Sequence, residues 1–370
     1  MRPEAKLMPI PSEGASLAVL DALIVDASHA APSTLVSRNR AAVTPARAVR
    51  RLFMFVVLLL FLACGIHMII TTGLRRIKAS AFGASNQIME GRVNAQVVIT
   101  GSSRALLQYD PRIIQSITGH SAFNLGRNGS QTDMQVAFFK AYLAHNRKPE
   151  IVIHNLDAFS FVTTRIIFDP AQYMPYLYDR DLYEASRKIN PQTWRSRYVP
   201  LYGYVVEDMN LTWTKGVGGF FGWSPRQDYF LGFNPRHVQW TGDFENFEKS
   251  HPKGVSFDIE PAGIRDLEDL IMTCKENGIQ LIFVYSPEYD RMQAMTRNRE
   301  EIFAQFHQLA DRNDVSFWDY SNWSHSEDKS LFYNSQHLNA EGAEIFSADV
   351  AHRLQQVLAR RAASLTAGGR

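Results

Sequence analysis

The chain has 370 residues, 45% of them hydrophobic and 21% charged, with 39 Lys and Arg against 37 Asp and Glu. That length holds one large domain or two modest ones and excludes a small scaffold that needs disulfide staples. A formal charge of +2, with no finger or basic-zipper signature, excludes a surface built to coat nucleic acid.

Residues 1–50 are rich in Ala, Pro, Ser and Arg and lack a sustained apolar period, apart from a short helical pattern at 17–25. They read as a disordered cytoplasmic tail. From Leu52 to Thr72 the run LFMFVVLLLFLACGIHMIITT carries no formal charge. About 20 apolar residues at 1.5 Å each cross a hydrocarbon core, so residues 52–72 read as one transmembrane helix set in the lipid bilayer. A cleaved signal fits less well, because its apolar stretch is shorter, starts nearer residue 1 and ends in a better small-residue site than Thr71, Thr72 and Gly73. Arg38, Arg40, Arg47, Arg50 and Arg51 precede the run, and Arg75, Arg76 and Lys78 follow it. That bias places the N-terminus in the cytoplasm and the remainder outside. His67 lies near the exit end of the span, where a neutral imidazole can face the interface. Cys64 is inside the same run, so the sequence gives no reason to bridge it to Cys274.

In 79–358, short Val- and Ile-rich runs alternate with helical patterns. VVIT at 97–100, AFN at 122–124, IVIHN at 151–155, LIFVYS at 281–286 and VSFWDY at 315–320 read as strands. Helices are expected at 131–145, 262–277, 298–312 and 340–358, the last opened by Asn339 as N-cap. The alternation predicts an α/β fold, a parallel sheet with helices on both faces. An aromatic-rich insertion at 158–258 interrupts it and includes Trp194, Trp213, Trp223 and Trp240. Those rings read either as a second packed subcore or as a cap whose aromatics stack on sugars. Residues 359–370 read as a flexible tail.

Chemistry in open α/β sheets collects at the carboxyl ends of the strands, and the informative residues fall there. The first strand runs into Gly101-Ser102-Ser103-Arg104, which presents a serine at the start of a helix whose free N–H groups can hold an oxyanion. The second runs into Asn124-Leu125-Gly126-Arg127-Asn128-Gly129-Ser130, whose glycines let another N–H approach the same point. Near the C-terminus, FYNSQHLNAEGAEIF places His337 just before the last helix, three residues after Asn334. A nucleophilic serine needs a base within hydrogen-bond reach and a group to hold the other imidazole nitrogen. Each piece alone has an ordinary structural explanation as a cap or a tight turn.

Together these pieces resemble the SGNH superfamily of GDSL-type hydrolases, over about 97–358 apart from the insertion. The resemblance implies a three-layer flavodoxin-like fold with Ser103 as nucleophile and Ser102 where the family usually has Asp. It implies an oxyanion hole from Ser103, Gly129 and Asn155, the last in IVIHNLD, which lacks the usual Gly-x-Asn-Asp frame. The closing Asp-x-x-His block corresponds to Asn334-Ser335-Gln336-His337, so Asn334 stands where a carboxylate is expected; Asp319, at the end of the fifth strand, is a substitute candidate. The single anchor, the GSSR form and the HLNAEGA ending resemble the anchored, exported branch that includes alginate O-acetyltransferase-like and D-alanyl transfer proteins. That branch implies a periplasmic domain held at the inner membrane, a polysaccharide acceptor and a multi-span membrane acyltransferase as partner.

The leading reading is therefore a serine-dependent O-acyl (acetyl) transferase or esterase acting on an exported polysaccharide. The alternative is a catalytically degenerate protein that binds polysaccharide or assists an acyltransferase complex, which the Asn at 334 favours and the presence of Ser103 and His337 opposes. No cofactor motif is present, and no His or carboxylate pair has metal-ligand spacing.

Overall fold

The structure, a computed structural model, describes residues 44–207, 211–226 and 228–368. Most of the expected N-terminal tail, with its helical pattern at 17–25, lies outside the described residues. The chain divides into two units, Met1–Phe55 and Val56–Arg370. In the first, helix α1 (Pro45–Arg76) begins. Proline suits a first helical position because its fixed φ is already helical, so residues 45–50, expected in the tail, are part of this helix. Among the described residues α1 alone is long and apolar enough to cross a membrane, with a mean hydropathy of 2.8.

In the second unit α2 (Ser80–Met89) follows α1, and the sheet then begins. Strand β1 (Val97–Thr100) leads to α3 (Ser103–Gln108) and α4 (Pro111–Thr118), β2 (Ala122–Asn124) to α5 (Thr132–His145), and β3 (Ile151–Leu156) to the insertion. The insertion carries α6 (Arg180–Ile189), α7 (Thr193–Tyr198), α8 (Thr212–Phe220) and α9 (Asp243–Ser250). Regular alternation resumes with α10 (Pro261–Glu276), β4 (Gln280–Tyr285), α11 (Asp290–Ala294), α12 (Arg299–Asn313) and β5 (Ser316–Asp319). A hairpin of β6 (Phe332–Asn334) and β7 (His337–Leu338) precedes the closing α13 (Ala340–Gly368).

The five long strands pair in parallel in the order β2-β1-β3-β4-β5. This is the flavodoxin-like order, which places a crevice between the carboxyl ends of β1 and β3. Side chains alternate across the sheet. Val98, Val152, Leu281 and Phe283 face one core with α2, α5, α10 and α12. Val97, Ile99, Ile151, Ile153, Ile282 and Val284 face the other with α3, α4, α11 and α13. Burial on both faces accounts for the unbroken apolar runs seen in the sequence.

All five expected strands and three of the expected helices agree with the structure to within one residue at each end. The fourth, α13, runs on to Gly368 through residues expected as tail, because AHRLQQVLARRAA is made of strong helix formers. Its N-cap is Asn339, whose Oδ1 accepts the Gly342 N–H at 3.0 Å.

The insertion is built into both cores. Tyr173, Tyr176, Leu182 and Tyr204 join the first, and Phe233 and Phe244 the second. Ile70, Leu74 and Ile77 from the end of α1 belong to the first core as well. Polar contacts reinforce that junction: Thr71 Oγ1 pairs with Tyr204 Oη at 3.0 Å, and Arg75 Nε donates to Pro175 O at 3.0 Å. His67 also turns inward here, its Nδ1 accepting the Leu201 N–H at 3.3 Å.

Candidate active site

Ser103 meets Asn334 and His337, more than 230 positions further along the chain, at the carboxyl edge of the sheet. Strand β1 delivers the chain to Gly101, and Ser102 caps α3 by accepting the Arg104 N–H on its Oγ at 3.1 Å. Ser103 then occupies the first helical position, half-buried. Its Oγ lies 2.8 Å from His337 Nε2. The His337 Nδ1 lies 2.9 Å from Asn334 Oδ1.

The hydrogen-bond pattern fixes the imidazole tautomer. Asn334 Oδ1 also accepts the backbone N–H groups of Gln336 and His337, each at 3.0 Å, so the amide oxygen and not the nitrogen faces His337. An oxygen there can only accept, which puts the proton on Nδ1 and leaves the Nε2 lone pair to receive the Ser103 proton. The β6–β7 hairpin makes this arrangement local, since Asn334 and His337 are paired across its two-residue turn. Burial pushes His337 down to about 3, and the positive charges of Arg104 and Arg236 act in the same direction. The base is held neutral, as a base must be before it takes a proton.

Among the described residues, no protein acceptor takes the backbone N–H of Ser103 or Gly129. Gly129 sits in an exposed turn at φ +65°, a left-handed conformation that favours glycine. The turn is tied to the nucleophile's loop because Arg127 N donates to Gly101 O at 3.0 Å and Leu125 N to Ile99 O at 2.7 Å. Asn155 ends β3 beside Gly101 and is fully buried. Its Oδ1 accepts the Tyr109 hydroxyl at 2.7 Å, while its Nδ2 donates to Leu156 O at 3.1 Å and reaches Asp157 Oδ1 at 3.4 Å. Of the three expected oxyanion donors, the two backbone groups are uncommitted and the Asn155 amide is turned toward its own segment.

Asp319 does not serve His337. Its Oδ1 accepts the Ser321 N–H at 2.8 Å and the Ser321 hydroxyl, so it caps the turn after β5, and the imidazole's second nitrogen is already taken by Asn334.

No protein-family model and no curated protein matches this sequence. Remote likenesses occur among solved structures. An esterase from a psychrotrophic Pseudoalteromonas species, inhibited by monoethylphosphonate, is 10% identical over 71% of this chain and 97% of its own, with a TM-score of 0.38. An acetyl xylan esterase is 11% identical over 70% and 98%, at 0.35. A GDSL-like lipase from Bacteroides thetaiotaomicron is 10% identical over 75% and 100%, at 0.36. Likeness this remote carries no functional argument, and what the site can do follows from its own geometry.

That geometry includes a charged cluster that the motif comparison passed over. Arg104, next to Ser103 and fully buried, lies 3.3 Å from Asp157 Oδ1 and 3.5 Å from Glu288 Oε1. It also donates to Leu156 O at 3.4 Å and to Ser286 O, and its guanidinium covers the Tyr285 ring. Burial opposes the Arg104 charge, but Glu288, Tyr285 and Asp157 outweigh that cost and strengthen it. Burial pushes the Asp157 carboxyl up to about 6 even against the pull of Arg104. The cluster clamps α3 to the loops after β3 and β4. Gln108 extends it, its Nε2 donating to Pro287 O at 3.1 Å and to Gln336 O at 3.3 Å, which connects the nucleophile's helix to the histidine's turn. The sequence signal for this cluster was present, for Asp157 and Glu288 each lie just past a strand's carboxyl end.

Proposed function

We propose that the protein is a membrane-anchored SGNH-type acyltransferase or esterase working through a Ser103 acyl-enzyme. The single observation carrying this reading is the chain of contacts from Ser103 Oγ to His337 Nε2 and from His337 Nδ1 to Asn334 Oδ1. In that reading His337 takes the Ser103 proton as Oγ attacks the acyl carbonyl. The Ser103 and Gly129 N–H groups receive the oxyanion, and the Asn155 amide joins them if it leaves Leu156 O. His337 then protonates the leaving oxygen. An acceptor hydroxyl repeats the sequence in reverse, giving its proton to Nε2 as it takes the acyl group.

The same residues serve transfer to water and transfer to a sugar hydroxyl. Resemblance to the exported branch favours a polysaccharide acceptor, an O-acetyl group and a multi-span acyltransferase as partner. In this reading α1 is the anchor, and the excess of arginines before the apolar run (Arg38, Arg40, Arg47, Arg50 and Arg51) over Arg75, Arg76 and Lys78 after it supports an N-terminus in the cytoplasm and a catalytic unit outside the inner membrane.

Asn334 brings orientation without charge. Among the described residues no carboxylate is bonded to the imidazole, and Arg104 and Arg236 oppose its protonation, so slow turnover is expected for a serine hydrolase. The test uses the full chain in detergent or nanodiscs, because Ile70, Leu74 and Ile77 of α1 are core residues. Hydrolysis of p-nitrophenyl acetate is compared for wild type, Ser103→Ala and His337→Ala. The reading requires turnover that both substitutions abolish in folded protein; a wild-type rate equal to that of Ser103→Ala would end it.

A further inference from the structure

We infer that a cavity in the insertion holds an acyl chain of a membrane phospholipid and leads it to the oxyanion turn. The inference rests on the Ser103 acyl-enzyme reading and on anchoring by α1, and it puts a long acyl group in place of the O-acetyl group that the resemblance favours.

The cavity has a volume of about 720 Å³, with walls that include Ile167, Phe168, Met174, Leu177, Ile189 and Val206. That size is typical of a ligand site, and such sites are mostly apolar with a few polar groups that orient the guest. Polar residues also line the cavity, among them Arg165, Asp169, Ser186, Asn190 and Thr193. At the rim, Ile166 is 84% and Phe168 54% exposed, so the entrance is apolar.

One wall residue, Phe168, packs against the Gly129 turn. A Cβ placed on Gly129 would fall 2.3 Å from Phe168 Cγ, so the Phe168 ring rests on the turn whose N–H the acyl-transfer reading assigns to the oxyanion. A carbonyl held by that N–H sits about 3 Å from it, and the chain attached to the carbonyl then starts beside Phe168.

Other wall residues adjoin segments that contact the end of α1. Met174 is followed by Pro175, whose carbonyl accepts both Nε and Nη2 of Arg75, at 3.0 and 2.5 Å. Met174 also lies against Gly203, and the next residue, Tyr204, is bonded to Thr71. His67 to Arg75 covers about 12 Å of helix at 1.5 Å per residue, the stretch where α1 leaves the hydrocarbon. Val205 and Val206 beside it are largely exposed. A cavity with largely aliphatic and aromatic walls, lying between the end of α1 and the Gly129 turn, suits the aliphatic ligand that a bilayer supplies.

The test places the full chain in nanodiscs containing a phosphatidylcholine with a diazirine in its acyl chain, followed by photolysis and peptide mapping. Label is expected on residues 165–177 and 186–206 in addition to α1, and it should fall at least fivefold there in Ile189→Trp or Leu177→Trp, which fill the cavity. Label confined to α1 would overturn the inference. In a kinetic arm, kcat/KM for p-nitrophenyl esters should rise about fourfold per added methylene from acetate to octanoate, and the octanoate-to-acetate ratio should drop at least tenfold in either Trp variant. Chain-length independence in an active enzyme would overturn the link to the site. If no ester is turned over, the catalytic reading fails, and the photolabel alone still decides whether the cavity holds lipid.

Discussion

Asn334 holds His337 through the oxygen that an aspartate would use, but without the aspartate's charge. Two backbone N–H groups lock that oxygen in place, so the usual penalty of an amide at this position, a wrong tautomer, does not arise. What is missing is the charge-assisted part of the bond. Charge-assisted hydrogen bonds exceed neutral ones by roughly 1–2 kcal/mol, which corresponds to about tenfold in rate. Asn334→Asp should therefore raise kcat for p-nitrophenyl acetate about tenfold at pH 8. Asn334→Leu should lower it about a hundredfold or more by freeing the imidazole. An unchanged or reduced rate in Asn334→Asp would mean that charge at this position does not limit the reaction.

The depressed His337 pKa sets the acid side of the pH profile. The resting base is neutral above about 3, so kcat/KM should stay flat between pH 8 and 5, where an ordinary imidazole with pKa near 6.5 would already have lost most of its activity. In Asn334→Asp the new carboxylate favours the protonated ring, and the acid limb should move upward by about 1–3 pH units. A wild-type limb near 6.5 would contradict the burial seen at His337.

Stability responds to the same groups with a definite sign. His154 is fully buried on β3, where burial pushes it down to about 3, as with His337. Between pH 6.5 and 3 the unfolded chain binds protons at both rings that the folded chain does not, so stability falls as pH falls through this window. Asp157 acts oppositely: raised to about 6, it takes its proton in the folded state first and offsets part of the loss between about 6 and 4. Thermal melts should show the highest Tm above pH 7 and a decline below 6, made shallower by His154→Gln.

The fold was legible because its strands are buried on both faces and therefore appear as plain Val and Ile runs, and because Ser103, Asn334 and His337 lie in local turns that a sequence displays. The insertion was not legible. Some of its aromatic rings, such as Tyr173, Tyr176 and Phe244, join the two cores while Trp194, Trp213 and Trp223 stay exposed, and only long-range contacts such as Tyr204 to Thr71 sort them. The Arg104 cluster escaped for a related reason: Asp157 and Glu288 are distant in sequence, and each alone has the ordinary appearance of a loop acid. Asn155 was recognisable by position, but the direction of its amide depends on Tyr109 and Leu156, which no motif encodes.

Arg104 should be indispensable for stability rather than for the chemical step. Removing one member of a buried charge cluster leaves the others uncompensated, at a cost of about 3–5 kcal/mol. Arg104→Met would strand Asp157 and Glu288 and should lower Tm by about 10 °C. Arg104→Lys should not restore it, since one ammonium cannot reach both carboxylates and the carbonyls of Leu156 and Ser286 together. A Met variant as stable as wild type would show that the cluster is not holding α3 in place.

Gly126 offers a way to displace the nucleophile without touching it. A Cβ there would lie 2.3 Å from Leu106 N and 2.7 Å from Leu106 Cα. Both are backbone atoms of α3, so the helix must shift to make room. Over-packing of this kind costs about 1–3 kcal/mol, and moving a reacting group by 1 Å can cost about a hundredfold in rate. Gly126→Ala should therefore lose much of its kcat on p-nitrophenyl acetate while remaining folded, with a Tm only several degrees below wild type. His337 belongs to a separate turn, so the loss would come from the Ser103-to-His337 separation and not from the base itself. Gly126→Ala with full activity would mean that α3 and Ser103 tolerate displacement, and that the 2.8 Å contact between Ser103 and His337 is not what the rate depends on.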